Sequence, residues 1–324
     1  LYLNKSDREG LYFLRNIQFS KRLVSLYLYI SQLSHGDLCS VWNYLHFPAS
    51  LEDLDLSFYI TDIDLSQEDY ERARKWCNII GKIKKISLTF SYGMLFTLNE
   101  LIKLFPCFLE MIHEDMMAFC LKAIPAGSIL GKYSVVPLDT KLLLEKLEIA
   151  KSLKVFTLGI PCYIDFQITT VNFCSIKIED VTLALLGGNS LQNFLMLLDK
   201  SHVRRFSVQG IPIDSLQAEF LLATLGEMLN LNELYLELKV SQKVVDLNIG
   251  RIWDILKGDQ VLNKISIIFD GDIYLPKAKC ISLREKLLLK KRIFSLRIAP
   301  KNGSIYSSYI FLRGDRYISF DKHQ

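Results

Sequence analysis

The chain lacks most of the features by which secreted, membrane-spanning and catalytic proteins can be recognised. No apolar run approaches the roughly 18 residues that a membrane-spanning helix needs, and the opening residues show no signal-peptide pattern. The seven cysteines (39, 77, 107, 120, 162, 174 and 280) are odd in number, scattered, and never spaced C-x-x-C. That pattern excludes the usual zinc-finger and dithiol spacings. A secreted chain of this size more often carries an even, clustered set, so these read as reduced, buried thiols of a cytoplasmic protein, with cytoskeletal attachment left open. The five histidines share no spacing. With 39 Lys and Arg against 35 Asp and Glu, the net charge of +4 gives no reason to expect a general polyanion binder.

Catalytic signatures are equally scarce. There is no G-x-S-x-G elbow and no dinucleotide fingerprint after a strand. Gly127-Ser128-Ile129-Leu130-Gly131-Lys132-Tyr133 imitates a phosphate loop, but it is one residue short, and Tyr133 stands where a metal-reaching Ser or Thr belongs. Asp270-Gly271-Asp272 and Asp62-Ile63-Asp64 could offer oxygen ligands to a cation, yet acids after a strand are more often turn formers. His113-Glu114-Asp115 has no second histidine four residues on. Arg313-Gly314-Asp315 reads as a hairpin turn between two alternating segments. The expectation is a protein that is not an enzyme, with no cofactor, no metal and no small-molecule substrate.

What is present is apolar and repetitive. Half of the 324 residues are apolar and 11% are aromatic, too much for a largely disordered chain. One phrase, apolar-x-x-apolar-x-apolar, recurs as Leu23-Leu26-Leu28, Leu51-Leu54-Leu56, Ile83-Ile86-Leu88 and Leu153-Phe156-Leu158. It returns as Val203-Phe206-Val208, Leu231-Leu234-Leu236, Leu262-Ile265-Ile267 and Ile293-Leu296-Ile298. First positions lie 28 and 32 residues apart, then 28, 31 and 31, with gaps of 70 and 50 between that suggest a degenerate repeat and an insertion. Helical patterns precede the phrases. Residues 67–80 follow a Ser66–Asp69 capping pair, 140–150 follow Asp139, and 218–229 and 282–291 carry leucines at helical spacing.

A helix and short strand repeated about every 30 residues cannot bury its own apolar side, whereas parallel stacking can. This pattern resembles the leucine-rich repeat family in its ribonuclease-inhibitor-like form, over residues 20–300, with poor stretches at 94–143 and 160–200. The resemblance implies an α/β solenoid with an inner curved parallel sheet, outer helices and an interaction role. On this reading residues 1–324 form a single irregular solenoid with a C-terminal cap at 302–324. Leu1-Tyr2-Leu3 reads as part of an earlier strand, which implies chain upstream. The family usually places Asn or Cys three residues after the third apolar position. Here Ser31, Tyr59, Ser91, Pro161, Ile211, Lys239, Asp270 and Lys301 stand there, so its polar ladder is missing. An ordinary open α/β sheet in two domains is the alternative architecture.

Strand alternation places one set of residues on the sheet face away from the helices. The candidate partner-binding residues on that face are Tyr27, Tyr29, Asp53, Asp55, Lys85, Arg205, Glu233, Tyr235, Glu237, Lys264 and Arg297. Mixed charge with tyrosine suits a protein partner better than a nucleic-acid groove. Residues 51–71 hold eight acids and no base, and residues 277–301 hold nine bases and one acid. The small net charge therefore conceals a dipolar chain. Arg284, Lys290, Lys291 and Arg292 in the basic run are a second candidate docking patch, outside a helix at 282–291. The functional expectation is a scaffold or structural subunit binding protein partners in a large intracellular complex, without membrane insertion. A substrate-recognition subunit of a ubiquitin ligase and an RNA-contacting ribonucleoprotein component are the alternatives.

Overall fold

A computed structural model describes residues 2–4, 18–61, 63–93, 95–125, 136–163, 176–187, 189–240, 264–270, 293–299 and 307–311. The chain is α/β and divides into two compact units, Leu1–Cys174 and Ser175–Gln324.

In the first unit the elements run β1 (Tyr2–Asn4), β2 (Ser25–Leu33), α1 (His35–Tyr44), β3 (Asp53–Ile60), α2 (Gln67–Ile80) and β4 (Lys85–Tyr92). They continue with α3 (Leu95–Glu110), β5 (Ala118–Pro125), β6 (Val136–Pro137), α4 (Thr140–Ile149), β7 (Val155–Gly159) and β8 (Cys162–Tyr163). Strands β1, β2, β3, β4, β5 and β7 pair in that order, every pair parallel. The short strands β6 and β8 pair separately.

Alternation explains the sheet. Leu54, Leu56, Phe58 and Ile60 of β3 are all buried, while Asp53, Asp55, Ser57 and Tyr59 between them stay half-exposed. Strand β4 repeats the pattern with Ile86, Leu88, Phe90 and Tyr92 inward. Successive helices pack side by side over this inward face as a single layer. Each fully buried Leu or Phe contributes about 1.5–3 kcal/mol over exposure. Rings connect neighbouring repeats: Phe58 stacks on Phe90 at 5.5 Å, Phe90 on Phe108 at 5.2 Å, and Phe119 on Phe156 at 6.2 Å.

The second unit runs β9 (Asp180–Ala184), α5 (Ser190–Leu197), β10 (Arg205–Ile213), α6 (Ser215–Glu227), β11 (Glu233–Val240), β12 (Lys264–Asp270), β13 (Ile293–Ala299) and β14 (Ser307–Phe311). Strands β9 to β13 pair in order and in parallel, and β14 pairs antiparallel with β13.

The two long gaps in the repeat are each filled by a strand. Met116-Phe119-Leu121 is a further copy of the phrase, buried throughout and in register with Ile86 and Leu88. Ile178-Val181-Leu183 is another, in register with Phe206 and Val208. The gap of 70 is thus 33 and 37, and the gap of 50 is 25 and 25. Two sequence expectations are corrected. The poor stretch 94–143 holds a further repeat, with α3 ending at Glu110 and β5 beginning at Ala118. The stretch 160–200 includes a repeat strand where an insertion was expected. The β12–β13 register is also displaced by two residues from the expected phrase, since Ile265 faces Phe294 and Ile267 faces Leu296. A shift of two preserves the parity of the pairing.

The helix expectations at 67–80 and 140–150 match α2 and α4, with Ser66 and Asp139 as their caps. Helix α6 starts three residues before its expected position, because Asp214 and Gln217 form its capping box. Expected helix 282–291 lies outside the described residues.

Polar bonds between repeats are made at other positions than the expected ladder. At strand entrances a backbone ladder steps from repeat to repeat: Glu52 N–H to Val24 O, Lys85 to Glu52, Met117 to Lys84 and Lys154 to Met117. The second unit repeats it with Arg204 to Glu179, Asn232 to Arg204 and Lys264 to Asn232. At helix N-termini, Asp69 contacts His35 at 3.1 Å, Leu65 N–H donates to Glu100 at 3.4 Å, and Gln217 donates to Asn189 at 3.0 Å. At helix C-termini, Lys146 donates to Glu110 O and Asn230 to Ser201 O. Each bond spans one repeat, so stacking also satisfies backbone and cap groups.

Among the described residues no helix is long and apolar enough to cross a membrane. The five described cysteines are free thiols, with Cys39, Cys77 and Cys162 buried and Cys107 and Cys120 half-buried.

Candidate functional site

The sheet face away from the helices is built in rows, because parallel strands in register set every second residue side by side about 4.8 Å apart. In the first unit one row reads Ser25, Asp53, Lys85, Ala118, Val155. The next reads Tyr27, Asp55, Ser87, Cys120, Thr157, and the third Tyr29, Ser57, Thr89, Lys122, Gly159. Tyr27 is 58% exposed beside Asp55, and Lys85 is exposed beside half-exposed Asp53. Tyr29 is half-exposed. The expected residues Tyr27, Tyr29, Asp53, Asp55 and Lys85 therefore share one continuous patch on β2, β3 and β4.

Farther along the second row the face is less open. Thr157 is buried, and burial pushes the Cys120 thiol upward despite nearby Lys122. Cys120 also hydrogen-bonds with its row neighbours Ser87 and Thr157.

In the second unit the rows are Asp180, Arg205, Glu233, Lys264, then Thr182, Ser207, Tyr235, Ser266, then Ala184, Gln209, Glu237. The first of these alternates sign along four strands, and Arg205 is engaged by the acids beside it. Arg205 pairs with Asp180, Nε to Oδ1 at 2.6 Å, and the Asp180 hydrogen bond raises the guanidinium pKa, with Glu233 and Glu179 adding to it. Beside that row, Arg204 lies 3.7 Å from Glu179. Tyr235 is half-buried and its hydroxyl donates to Glu237 at 3.2 Å. Glu233 and Lys264 are exposed. The backbone of Arg297 faces Ile268. Arg284, Lys290, Lys291 and Arg292 lie outside the described residues, as do Asp62, the 127–133 glycine loop and the Arg313–Asp315 tripeptide.

A second cluster was not evident from sequence. His35 and Cys39, four residues apart, share one face of α1, and Asp69 in the first turn of α2 meets both. His35 Nε2 is 3.1 Å from Asp69 Oδ2, Cys39 Sγ donates to Asp69 Oδ1 at 3.1 Å, and all three donor atoms lie within 4.8 Å of one another. Asp69 also accepts from the Ser66 N–H at 2.9 Å, the Ser66 hydroxyl at 2.5 Å and Arg72 Nη1 at 3.2 Å. Burial works to raise its pKa, but the hydrogen bonds from Ser66, Cys39 and His35 outweigh burial and hold the carboxyl well below the usual range. Burial and the adjacent carboxylate push the Cys39 thiol up to about 12, so it is neutral at physiological pH. These are the described residues able to hold a metal. The signal that could have found it is His-x-x-x-Cys at helical spacing, with an acid one repeat later.

His113, weighed as a metal ligand from sequence, instead contacts Ile83 O at 3.3 Å. With Glu110, Glu114, Lys82 and Lys146 it lines a cavity of about 410 Å³ at the C-terminal ends of α2, α3 and α4. No protein-family model matches the chain, and no curated protein matches its sequence.

Proposed function

We propose that this chain is a non-enzymatic interaction scaffold of the leucine-rich repeat type, a cytoplasmic subunit that binds protein partners through the open face of its strands. The one-sided helix layer supports the repeat reading, because an ordinary doubly wound sheet buries both faces. One observation carries the functional reading: the patch on β2 to β4, where Tyr27 is 58% exposed beside Asp55 and one row from Asp53 and Lys85. Exposed tyrosine supplies a large contact area at low entropic cost, and flanking charges fix register and orientation. A partner with a basic or polar surface complements Asp53 and Asp55.

The test is affinity purification of the tagged full chain against a variant carrying Tyr27→Ala, Asp55→Asn and Tyr235→Ala. Loss of specifically retained proteins, with unchanged circular dichroism, is the expected outcome. Equal recovery by the variant contradicts the proposal.

A further inference from the structure

We propose that His35, Cys39 and Asp69 form a binding site for a zinc-class divalent transition metal that joins the first two helices. Three features converge on this cluster. The first is ligand type: imidazole nitrogen, thiol sulfur and carboxylate oxygen are the three protein donors that zinc takes. The second is spacing. With metal–ligand bonds of roughly 2.0–2.3 Å, neighbouring ligand atoms in a tetrahedral site stand roughly 3.3–3.6 Å apart. Here the histidine–carboxylate and thiol–carboxylate separations are both 3.1 Å. Small side-chain rotations would open the cluster to that spacing.

The third feature is a carboxylate with too many donors. An ionised Asp offers about four lone-pair directions. Asp69 faces five donors: His35, Cys39, the Ser66 N–H, the Ser66 hydroxyl and Arg72. A metal relieves this crowding by taking His35 and Cys39 as its own ligands and leaving Asp69 with one metal bond. The Ser66 bonds then act as the outer contacts that orient a ligating carboxylate. Asp69 is only 5% exposed at its side chain, while His35 is 39% exposed, which gives an ion a route in and water a fourth position.

Charge balances. The Cys39 thiol releases its proton to solvent on binding, so thiolate and carboxylate together neutralise the dication. Arg72 is paired with Glu68 through its other guanidinium nitrogen. Both ligands of α1 and the ligand of α2 sit in the first or second helical turn, so the ion would fasten one repeat to the next.

The experiment uses the full chain stripped of metal by chelation and titrated with cobalt(II), which reports thiolate ligation as a charge-transfer band. The expected result is one cobalt per chain, a thiolate band, and displacement by zinc. Cys39→Ser should abolish the band, and His35→Gln should weaken binding at least tenfold, while His113→Gln leaves both unchanged. Folded wild-type chain that takes up no cobalt or zinc overturns the proposal. So does a band that survives Cys39→Ser, which would assign it to another thiol. If Cys39→Ser fails to fold, the half-exposed His35→Gln decides, since affinity equal to wild type removes histidine from the site.

Discussion

The two units solve the same stacking problem with different polar groups. In the first, charge is concentrated at helix N-termini, where buried Asp69 gathers His35, Cys39 and Arg72 and Glu100 reaches back to Leu65. In the second, the equivalent link is neutral, Gln217 to Asn189, while both units pair charges at the strand entrances, as Glu52–Lys84 in the first and Asp180–Arg205 and Glu179–Arg204 in the second. Repeat length also differs. The first unit's spacings of 28 to 37 residues accommodate helices up to the 16 residues of α3, while the 25-residue spacing to Val203 holds only the eight of α5. The face opposite the helices differs as well. The row tyrosine of the first unit, Tyr27, is 58% exposed, whereas its counterpart in the second, Tyr235, is half-buried. A stack of this kind leaves free choice over where its helix-cap links sit and how far the open face is covered.

The largest effects should be alike in both units, because the cores are alike. Leu56 and Leu236 are equivalent row positions, 0% and 1% exposed. Replacing either with alanine should cost about 3 kcal/mol. In hydrogen exchange, Leu56→Ala should loosen β2 to β5 and Leu236→Ala should loosen β9 to β12. Uniform loosening by either variant would dissolve the distinction between units.

The helix-cap links should separate the units. Asp69→Ala removes a capping box and leaves His35 and Cys39 without their acceptor, a loss of about 2 kcal/mol. Gln217→Ala removes one cap partner and a neutral link, about 1 kcal/mol. Urea melts of both variants measure the difference. The pH dependence has a definite sign. A carboxyl held below its unfolded value near 3.9 stabilises the fold above that pH and loses the contribution as pH falls toward its folded value. Asp69→Asn should therefore flatten the acid limb of stability below about pH 4. An unchanged limb would show that Asp69 is not the group responsible.

A smaller effect concerns the second unit's strand exit. Gly210 has φ +63 at the β10 bulge, and a Cβ there would meet Leu185 Cδ2 at 3.3 Å. Gly210→Ala should cost about 1 kcal/mol, since a side chain strains that left-handed backbone.

Much of this was legible in the sequence. The phrase spacing and the caps at Ser66 and Asp139 located helices and strands correctly, because both depend on local pattern. The strand at 118–125 was not legible, since Met116-Met117-Ala118-Phe119-Cys120-Leu121 has the composition of a buried helix as much as of a strand, and only pairing with β4 decides. Open-face positions such as Asp55 and Tyr27 followed from parity alone. What parity could not give was which of them the sheet itself engages: Arg205 depends on Asp180, a strand that the spacing had passed over. The His35–Cys39–Asp69 cluster was hidden for the same reason, as it forms only when two repeats stack.

Hydroxyl-radical footprinting of the tyrosines tests the central claim most directly, comparing the isolated chain with the chain held in its purified assembly. Tyr27 on the open face and Tyr44 at the end of α1 are both exposed, at 58% and 40%, and so report opposite faces of one repeat. Assembly should protect Tyr27 several-fold and leave Tyr44 unchanged. Protection of Tyr44 with Tyr27 still reactive would place the partner on the helices and contradict it.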